Sequence, residues 1–107
     1  MSAPILPQAA QAVRLLGEMI SVRRRELGST AAEVADRVGI TRDTLRRIER
    51  GDPGVAIGTV FTAAVLLGVP LWDTVHRRDL EGMHHDLSRV SALLPAQVRR
   101  GRVDDDF

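Results

Sequence analysis

The chain is predicted to be all-α, with five helices in one domain and a semi-ordered C-terminal extension. Apolar residues recur at spacings of three, four and seven in the segments between Gly and Pro residues, a pattern typical of amphipathic helices. Aromatic residues make up only 3% of the 107 residues, and there is no Cys. Aliphatic side chains must therefore fill a modest core without disulfides. We place the domain at residues 8–79 and the extension at residues 80–107.

The first helix is predicted over about residues 8–27. Its inner face is an apolar stripe formed by Val13, Leu16, Ile20 and Leu27. Gly28 provides a stop after the last of these residues.

Two short helices follow, and each starts with a recognisable cap. Thr30 and Glu33 have the spacing of a capping box, in which the hydroxyl and the carboxylate bond each other's backbone N–H groups. Thr41 is the expected N-cap of the next helix, and Gly39 suits the turn between the two helices. The residues predicted to face inward are Ala31, Val34, Ala35, Val38, Ile40, Leu45 and Ile48.

Two more helices are predicted after Gly51 and Pro53 end the third. The inward stripe of the fourth is formed by Ile57, Val60, Phe61, Ala64 and Leu67, and Leu71, Trp72 and Val75 head a short fifth helix. We expect Trp72 in the core or at a dimer contact, since it stands among apolar residues. Beyond residue 78 only one weak apolar cluster remains before the end.

The distribution of charge is more informative than the net charge of +1. Residues 14–50 carry nine Arg and six acidic residues, a net charge of +3. All fifteen basic residues are Arg, which suits bidentate recognition of phosphates and guanine edges. A codon bias toward GC-rich triplets explains the absence of Lys equally well.

The third predicted helix carries three of these arginines on one outward face. Asp43, Arg46, Arg47 and Arg50 lie at i, i+3, i+4 and i+7, and Arg42 flanks them at the N-terminal tip. Two short helices joined by a Gly-containing turn have the spacing of a helix-turn-helix, whose second helix enters the major groove of DNA. The alternative is a solvated, charged helix face. The predicted DNA-binding residues are Thr30, Thr41, Arg42, Asp43, Thr44, Arg46 and Arg47.

Residues 14–75 resemble the Xre/Cro/C1-type helix-turn-helix family. The matching stretch is "LGEMISVRRRELGSTAAEVADRVGITRDTLRRIERGDPG", including the "VGIT" turn and the "IERG" close. The resemblance implies a five-helix, lambda-repressor-like domain, usually a homodimer on a two-fold-symmetric, palindromic operator of double-stranded DNA. It also implies a structural ion pair between Arg24 and Glu49. The family usually has Gln where this chain has Ala31, so we expect Thr30 and nearby backbone N–H groups to supply that anchoring contact.

A narrower resemblance links the chain to HipB-like antitoxins, the DNA-binding partners of HipA-like kinase toxins. It rests on "ERGDPGVAIGTVFTAAVLLGV" and on the C-terminal "LPAQVRRGRVDDDF". The acidic, aromatic end suggests a partner-docking segment made of Asp104, Asp105, Asp106 and Phe107. The alternative is a solubilising terminus without regular structure.

Other classes of function find little support in the residues. His76, His84 and His85 have no Cys beside them, and adjacent histidines do not easily face one ion, so no metal site is expected. No nucleophile–base pair or phosphate-binding Gly loop is readable, so we expect neither an enzyme nor a cofactor. No apolar run is long enough to cross a membrane, and the N-terminus lacks a secretory signal. These features predict a cytoplasmic protein.

Three functions remain open from the sequence. The first is a dimeric repressor that is the antitoxin of a HipA-like kinase. The second is a solitary Xre-family regulator without a toxin partner. The third is an interaction protein that has lost DNA binding.

Overall fold

The computed structural model describes residues 4–72 and 77–98, with the backbone alone for residues 77–79. The described residues form five α-helices: α1 (Pro7–Glu26), α2 (Ala31–Val38), α3 (Arg42–Arg50), α4 (Ile57–Leu67) and α5 (Arg77–Leu93). The prediction of an all-α fold with five helices is therefore confirmed. The pattern of residue contacts separates the chain into two compact units, with the boundary between residues 75 and 76. Helices α1–α4 belong to the first unit and α5 belongs to the second.

The core of the first unit lies where α1 and α2 each pack against both α3 and α4. It consists of aliphatic side chains, as the low aromatic content requires: Ile20, Val34, Ala35, Leu45, Ile48, Ala63, Ala64, Leu67 and Val69. The small side chains of Ala63 and Ala64 are fully buried, so α4 approaches its neighbours closely. The core thus fixes α3 from one side only.

The helix ends are formed by local hydrogen bonds that the sequence specifies. Thr30 and Glu33 make the predicted capping box, with distances of 3.1 Å and 2.8 Å between donor and acceptor. Gly39 and Gly51 end α2 and α3 in the left-handed region, with φ values of 87° and 78°. At the end of α4, Arg23 of α1 donates its Nε–H to the Leu67 carbonyl at 3.0 Å, which satisfies a terminal carbonyl and ties α1 to α4.

Two residues predicted to face inward are exposed. Leu27 is 47% exposed because α1 has already ended at Glu26. Ile57 is 70% exposed because it is the first residue of α4, one turn before the stripe that reaches the core. Ile57 instead lines a surface groove of about 240 Å³, together with Val13 and Phe61.

The fifth helix lies later in the chain than predicted. Leu71 is not helical, and Trp72 has a φ of 57°, which is incompatible with a helix starting there. Trp72 is 65% exposed and therefore does not lie in the core, while its predicted place at a dimer contact stays a prediction. Its ring instead meets the edge of Phe61, with the ring centroids 6.1 Å apart and the planes at 71°. Residue 75, the third residue predicted to begin this helix, lies outside the described residues.

The second unit contains α5, where the sequence predicted a semi-ordered segment. Residues 80–93 of that segment are helical, and every side chain from residue 81 to residue 98 is exposed. Of the helices that the structure describes, none is both long and apolar enough to span a membrane.

Candidate nucleic-acid interface

The recognition candidate α3 is anchored by two apolar side chains. Leu45 is fully buried and Ile48 is 2% exposed, and their i, i+3 spacing places both on one face. Ile40, in the turn before α3, packs against the same core. The opposite face of α3 is therefore turned away from the core, as the sequence predicted.

An ion pair holds α3 against α1. Arg24 donates from Nε to Glu49 Oε2 at 2.7 Å and from Nη2 to Oε1 at 3.1 Å, in a bidentate arrangement. The side chains are only 16% and 13% exposed. Arg24 also donates from Nη1 to the Ser29 carbonyl at 3.0 Å, which holds the residue before the α2 cap. The hydrogen bond to Glu49 raises the pKa of Arg24 above its ordinary value.

Two glycines let α1 and the end of α3 come into direct backbone contact. A Cβ on Gly17 would overlap the carbonyl oxygen of Ile48 and lie 3.0 Å from the carbonyl oxygen of Glu49. A Cβ on Gly51 would lie 2.5 Å from the Cα of Arg14. Gly17 was not recognised from the sequence, because a glycine inside a helix gives no signal for which neighbour approaches it.

The turn between α2 and α3 sets the start of the exposed helix. The N–H groups of Gly39 and Ile40 both donate to the Ala35 carbonyl, at 2.9 Å each, so the chain reverses within a single turn. Thr41 then caps α3 by accepting the Thr44 N–H at 3.0 Å. The Thr41 hydroxyl also donates to the Thr44 hydroxyl oxygen at 3.0 Å, which leaves the Thr44 hydroxyl hydrogen directed to an outside acceptor.

Thr30 can supply only part of the anchoring contact that was expected from it and from nearby backbone N–H groups. Its backbone N–H and that of Glu33 are both consumed by the capping box. The Thr30 hydroxyl accepts in that box, so its own hydrogen remains available to a phosphate oxygen. Ala31, the residue at the position where a Gln contact to DNA was considered, is half-buried and packs on the core.

The front of α3 presents Arg42, Asp43 and Arg46 to solvent. Within the part of the chain that the structure describes, neither Arg42 nor Arg46 has a side-chain hydrogen bond or an ion pair. An arginine in this state can place its planar fork on guanine O6 and N7 or on a phosphate. Asp43 can accept from cytosine N4.

Arg47, which was predicted to contact DNA, is paired with a carboxylate of its own chain. Its Nε–H donates to Asp52 Oδ2 at 2.8 Å, and Asp52 Oδ1 accepts the Gly54 N–H at 2.8 Å. The hydrogen bond from Arg47 lowers the pKa of Asp52, and the Gly54 N–H lowers it further. The same pair raises the pKa of Arg47.

Asp52 is thus a site residue that the sequence reasoning missed. The last turn of α3 brings it into place, since the Asp52 N–H donates to the Arg47 carbonyl at 2.9 Å while Gly51 adopts its left-handed conformation. Arg50, also exposed, is near enough to help lower the pKa of Asp52. A Gly followed by Asp at a helix end is the signal that was available.

The sequence also singled out a partner-docking segment and three histidines. Asp104, Asp105, Asp106 and Phe107 lie outside the described residues, as does His76. His84 and His85 are exposed on α5. Nowhere in residues 4–72 and 77–98 do three or more His, Asp or Glu side chains gather in a group able to hold a metal ion.

Comparison with known families agrees with this geometry. No curated protein matches the chain. Residues 20–71, nearly half of the chain, match the family model described as Helix-turn-helix. The matched residues contain the whole of α2, α3 and α4, as well as the Arg24–Glu49 pair. Domains of this family bind DNA in regulatory proteins and are typically non-enzymatic. The match therefore supports the interpretation of residues 20–71 as a helix-turn-helix segment of a DNA-binding regulator of transcription.

Proposed function

We propose that this chain is a homodimeric repressor of transcription that reads a palindromic operator with α3 and acts as the antitoxin of a HipA-like kinase. The repressor occupies the major groove with the front of α3 in each subunit. The antitoxin role adds a second partner, a kinase held inactive on the same assembly.

The proposal that the chain binds DNA rests on the exposed, unpaired side chains of Arg42 and Arg46. Both side chains are exposed at the start of a helix whose other face is buried, and neither is neutralised by a carboxylate of the described chain. Arg42 and Arg46 are like charges at i, i+4, which destabilises a helix in water unless an anion binds to them. Placing unpaired arginines at the front of a helix suits base readout, where each bidentate contact contributes about 1–3 kcal/mol of discrimination.

Two threonines at the helix starts support contacts to the DNA backbone. Thr30 and Thr44 each keep a hydroxyl hydrogen that no described acceptor takes, and they stand in the first turns of α2 and α3. Hydroxyl groups at helix starts are common phosphate contacts, which fix the register of the protein on the duplex.

The antitoxin part rests on the resemblance to HipB-like proteins and on the acidic C-terminal residues 104–107. Three carboxylates followed by an aromatic residue suit a basic groove with an apolar end. A solitary Xre-family regulator would share the DNA-binding machinery and lack the kinase.

An interaction protein without DNA binding is favoured by two observations. Ala31 provides no side-chain contact to DNA, and Arg47 is occupied by Asp52. Arg42 and Arg46 argue against this alternative, because two unpaired arginines one helical turn apart repel each other and bring no benefit to a helix face that binds no anion.

DNA selection separates these possibilities. The wild-type chain is incubated with random double-stranded DNA, and bound sequences are enriched and read. We expect a palindromic consensus that the Arg42→Ala, Arg46→Ala double variant fails to enrich. The double variant Arg25→Ala, Arg89→Ala, which likewise removes two positive charges from exposed residues, is the control and should enrich the wild-type consensus. Enrichment of no sequence by the wild-type chain would support the interaction protein instead.

The antitoxin role needs a separate assay. A HipA-like kinase is mixed with the full chain and with a chain lacking residues 104–107. We expect the truncated chain to bind DNA as before and to capture less kinase. Equal capture by both chains removes the docking role of the tail, and no capture by either favours the solitary regulator.

A further inference from the structure

We propose that α5 pairs with α5 of a second copy of this chain, as a short parallel coiled coil. The contact surface is an apolar row on one side of the helix, here named the heptad stripe: Leu80, Met83, Leu87, Val90 and Leu94. The inference deepens the proposed homodimer and rests on it, since it assigns the surface through which two copies join.

The spacing of the heptad stripe favours a second helix as its partner. Its members follow one another at intervals of three, four, three and four residues, which is the a/d pattern of coiled coils. Leu94 follows the last helical residue, and its N–H donates to the Ser91 carbonyl at 3.1 Å, so the row continues through the final turn. A surface helix packing on a globular core usually shows a broader apolar face than two residues in seven.

Most of the heptad stripe is exposed in a single copy of the chain. Leu87 is 66% exposed, Val90 53% and Leu94 62%. A helix of 17 residues with all of its side chains from residue 81 onward in water is marginal by itself, and Gly82 weakens it further. Pairing the stripes of two copies removes these side chains from water and stabilises both helices together.

The polar residues are arranged as in a helix with one contact face. Glu81, His85 and Arg89 lie on the side away from the heptad stripe, where they remain in water after pairing. Arg89 and Asp86 form an ion pair at 3.9 Å along the helix, with both side chains more than 70% exposed. None of these charged side chains has to be buried when two stripes meet.

The flanking residues favour parallel pairing. His84 borders the heptad stripe on one side and Asp86 on the other, at e and g positions. In an antiparallel pair, equivalent flanks face each other, so Asp86 would face the same residue of the second copy. In a parallel pair, Asp86 faces Ser91, which carries no charge and can donate a hydrogen bond. Parallel pairing therefore avoids a like-charge contact.

Another apolar surface of the described residues fits a helix less well. A groove of about 290 Å³ is lined by Met19, Val22, Val69 and Pro70. Glu18, Arg23 and Glu26 also line it, so charged groups border the apolar floor without a heptad repeat. If this groove joined the copies, changes in the heptad stripe would leave the dimer intact.

Cysteine cross-linking tests both the surface and the orientation, because the natural chain has no Cys. Leu87→Cys places a thiol in the stripe, and Ser88→Cys places one on the neighbouring exposed residue as a matched control. Facing a positions in a parallel pair lie within reach of a disulfide, whose Cα atoms are about 4.4–6.8 Å apart. Under mild oxidation without DNA, we expect Leu87→Cys to give a covalent dimer at least tenfold faster than Ser88→Cys. Equal rates would overturn the proposal.

Sedimentation of the full chain gives a second readout that needs no thiol. Leu87→Glu introduces two facing charges into the paired stripe, and Ser88→Glu introduces the same charge outside it. We expect the dimer dissociation constant to rise at least tenfold for Leu87→Glu alone. An unchanged constant for Leu87→Glu would also overturn the proposal. Both measurements are made without DNA, so their failure leaves the DNA selection with Arg42 and Arg46 variants as an independent test of the proposed function.

Discussion

Arg47 and Asp52 form a clasp across the end of α3, with Arg47 Nε and Asp52 Oδ2 2.8 Å apart. The two side chains meet because the chain turns back at Gly51, where the backbone N–H of Asp52 donates to the Arg47 carbonyl oxygen. It divides the arginines of the outward face into two groups. Arg42 and Arg46 have all their N–H donors available, whereas Arg47 donates its Nε–H to Asp52 and keeps only its Nη groups for a phosphate or base.

Removing the acid of the clasp should strengthen DNA binding. Asp52→Asn releases Arg47 and deletes a negative charge beside the DNA-binding face, so we expect tighter binding to the selected operator. Each additional phosphate contact steepens the slope of log K against log salt by about 0.9. Fluorescence anisotropy at several salt concentrations measures this slope. An unchanged slope would mean that Arg47 already exchanges Asp52 for phosphate in the wild-type complex.

The clasp should also appear in the pH dependence of stability. The pKa of Asp52 is lower in the folded state than its ordinary value near 3.9, chiefly through the Arg47 hydrogen bond. Its stabilising effect is therefore complete above that ordinary value and is lost as the pH falls through the folded-state pKa. Urea unfolding should show a stability difference between wild type and Asp52→Asn at pH 6 that shrinks below pH 4. A difference that stays constant down to pH 2 would contradict the lowered pKa.

The pair between Arg24 and Glu49 should dominate the stability of the contact between α1 and α3. Arg24→Met leaves the Glu49 carboxylate largely buried without its cation, which costs about 3 kcal/mol. Arg25→Met is the matched control, since the exposed Arg25 donates only to the Ser21 carbonyl of its own helix. We expect the control to change the free energy of unfolding by less than about 0.5 kcal/mol. Equal effects of the two variants in urea unfolding would show that the pair contributes little.

Local sequence signals predicted much of the fold, whereas the features that were not predicted depend on tertiary packing. The capping box at Thr30 and the positive-φ Gly39 are set by residues within one turn, so a pattern of a few letters predicts them. The buried face of α3 followed from the spacing of Leu45 and Ile48. The exposure of Ile57 did not, because periodicity shows which face a residue is on and leaves open how far along the helix the core extends.

The sequence predicted which residues belong to the candidate site, but it did not predict which of them are already paired within the chain. The sequence placed Arg42, Arg46 and Arg47 on one face, and periodicity is sufficient for that. The capture of Arg47 by Asp52 spans five residues across a helix end, outside the three- and four-residue spacings by which helical pairs are recognised. The helix α5 was missed because Gly82 and two adjacent histidines lower the helix propensity of its first half, although none of the three lies on the heptad stripe.

The close backbone contact at Gly17 predicts opposite effects for two glycine substitutions. Gly17→Ala gains helix propensity but forces its Cβ into the carbonyl oxygen of Ile48, so we expect a net loss of about 1–3 kcal/mol. Gly58→Ala in α4 meets no atom within 4 Å and should stabilise the protein by about 0.5–1 kcal/mol. Thermal or urea unfolding of both variants checks the sign. A stabilising Gly17→Ala would refute the tight crossing of α1 and α3.

The central claim is that the front of α3 reads DNA bases, and Arg46 tests it most directly. Wild type and Arg46→Ala are titrated against the selected operator and against every single-base variant of one half-site, with circular dichroism to verify that both fold. We expect Arg46→Ala to bind the operator about 1–3 kcal/mol more weakly and to lose discrimination at one base position. A folded Arg46→Ala that keeps wild-type affinity and wild-type discrimination at every position would contradict the account.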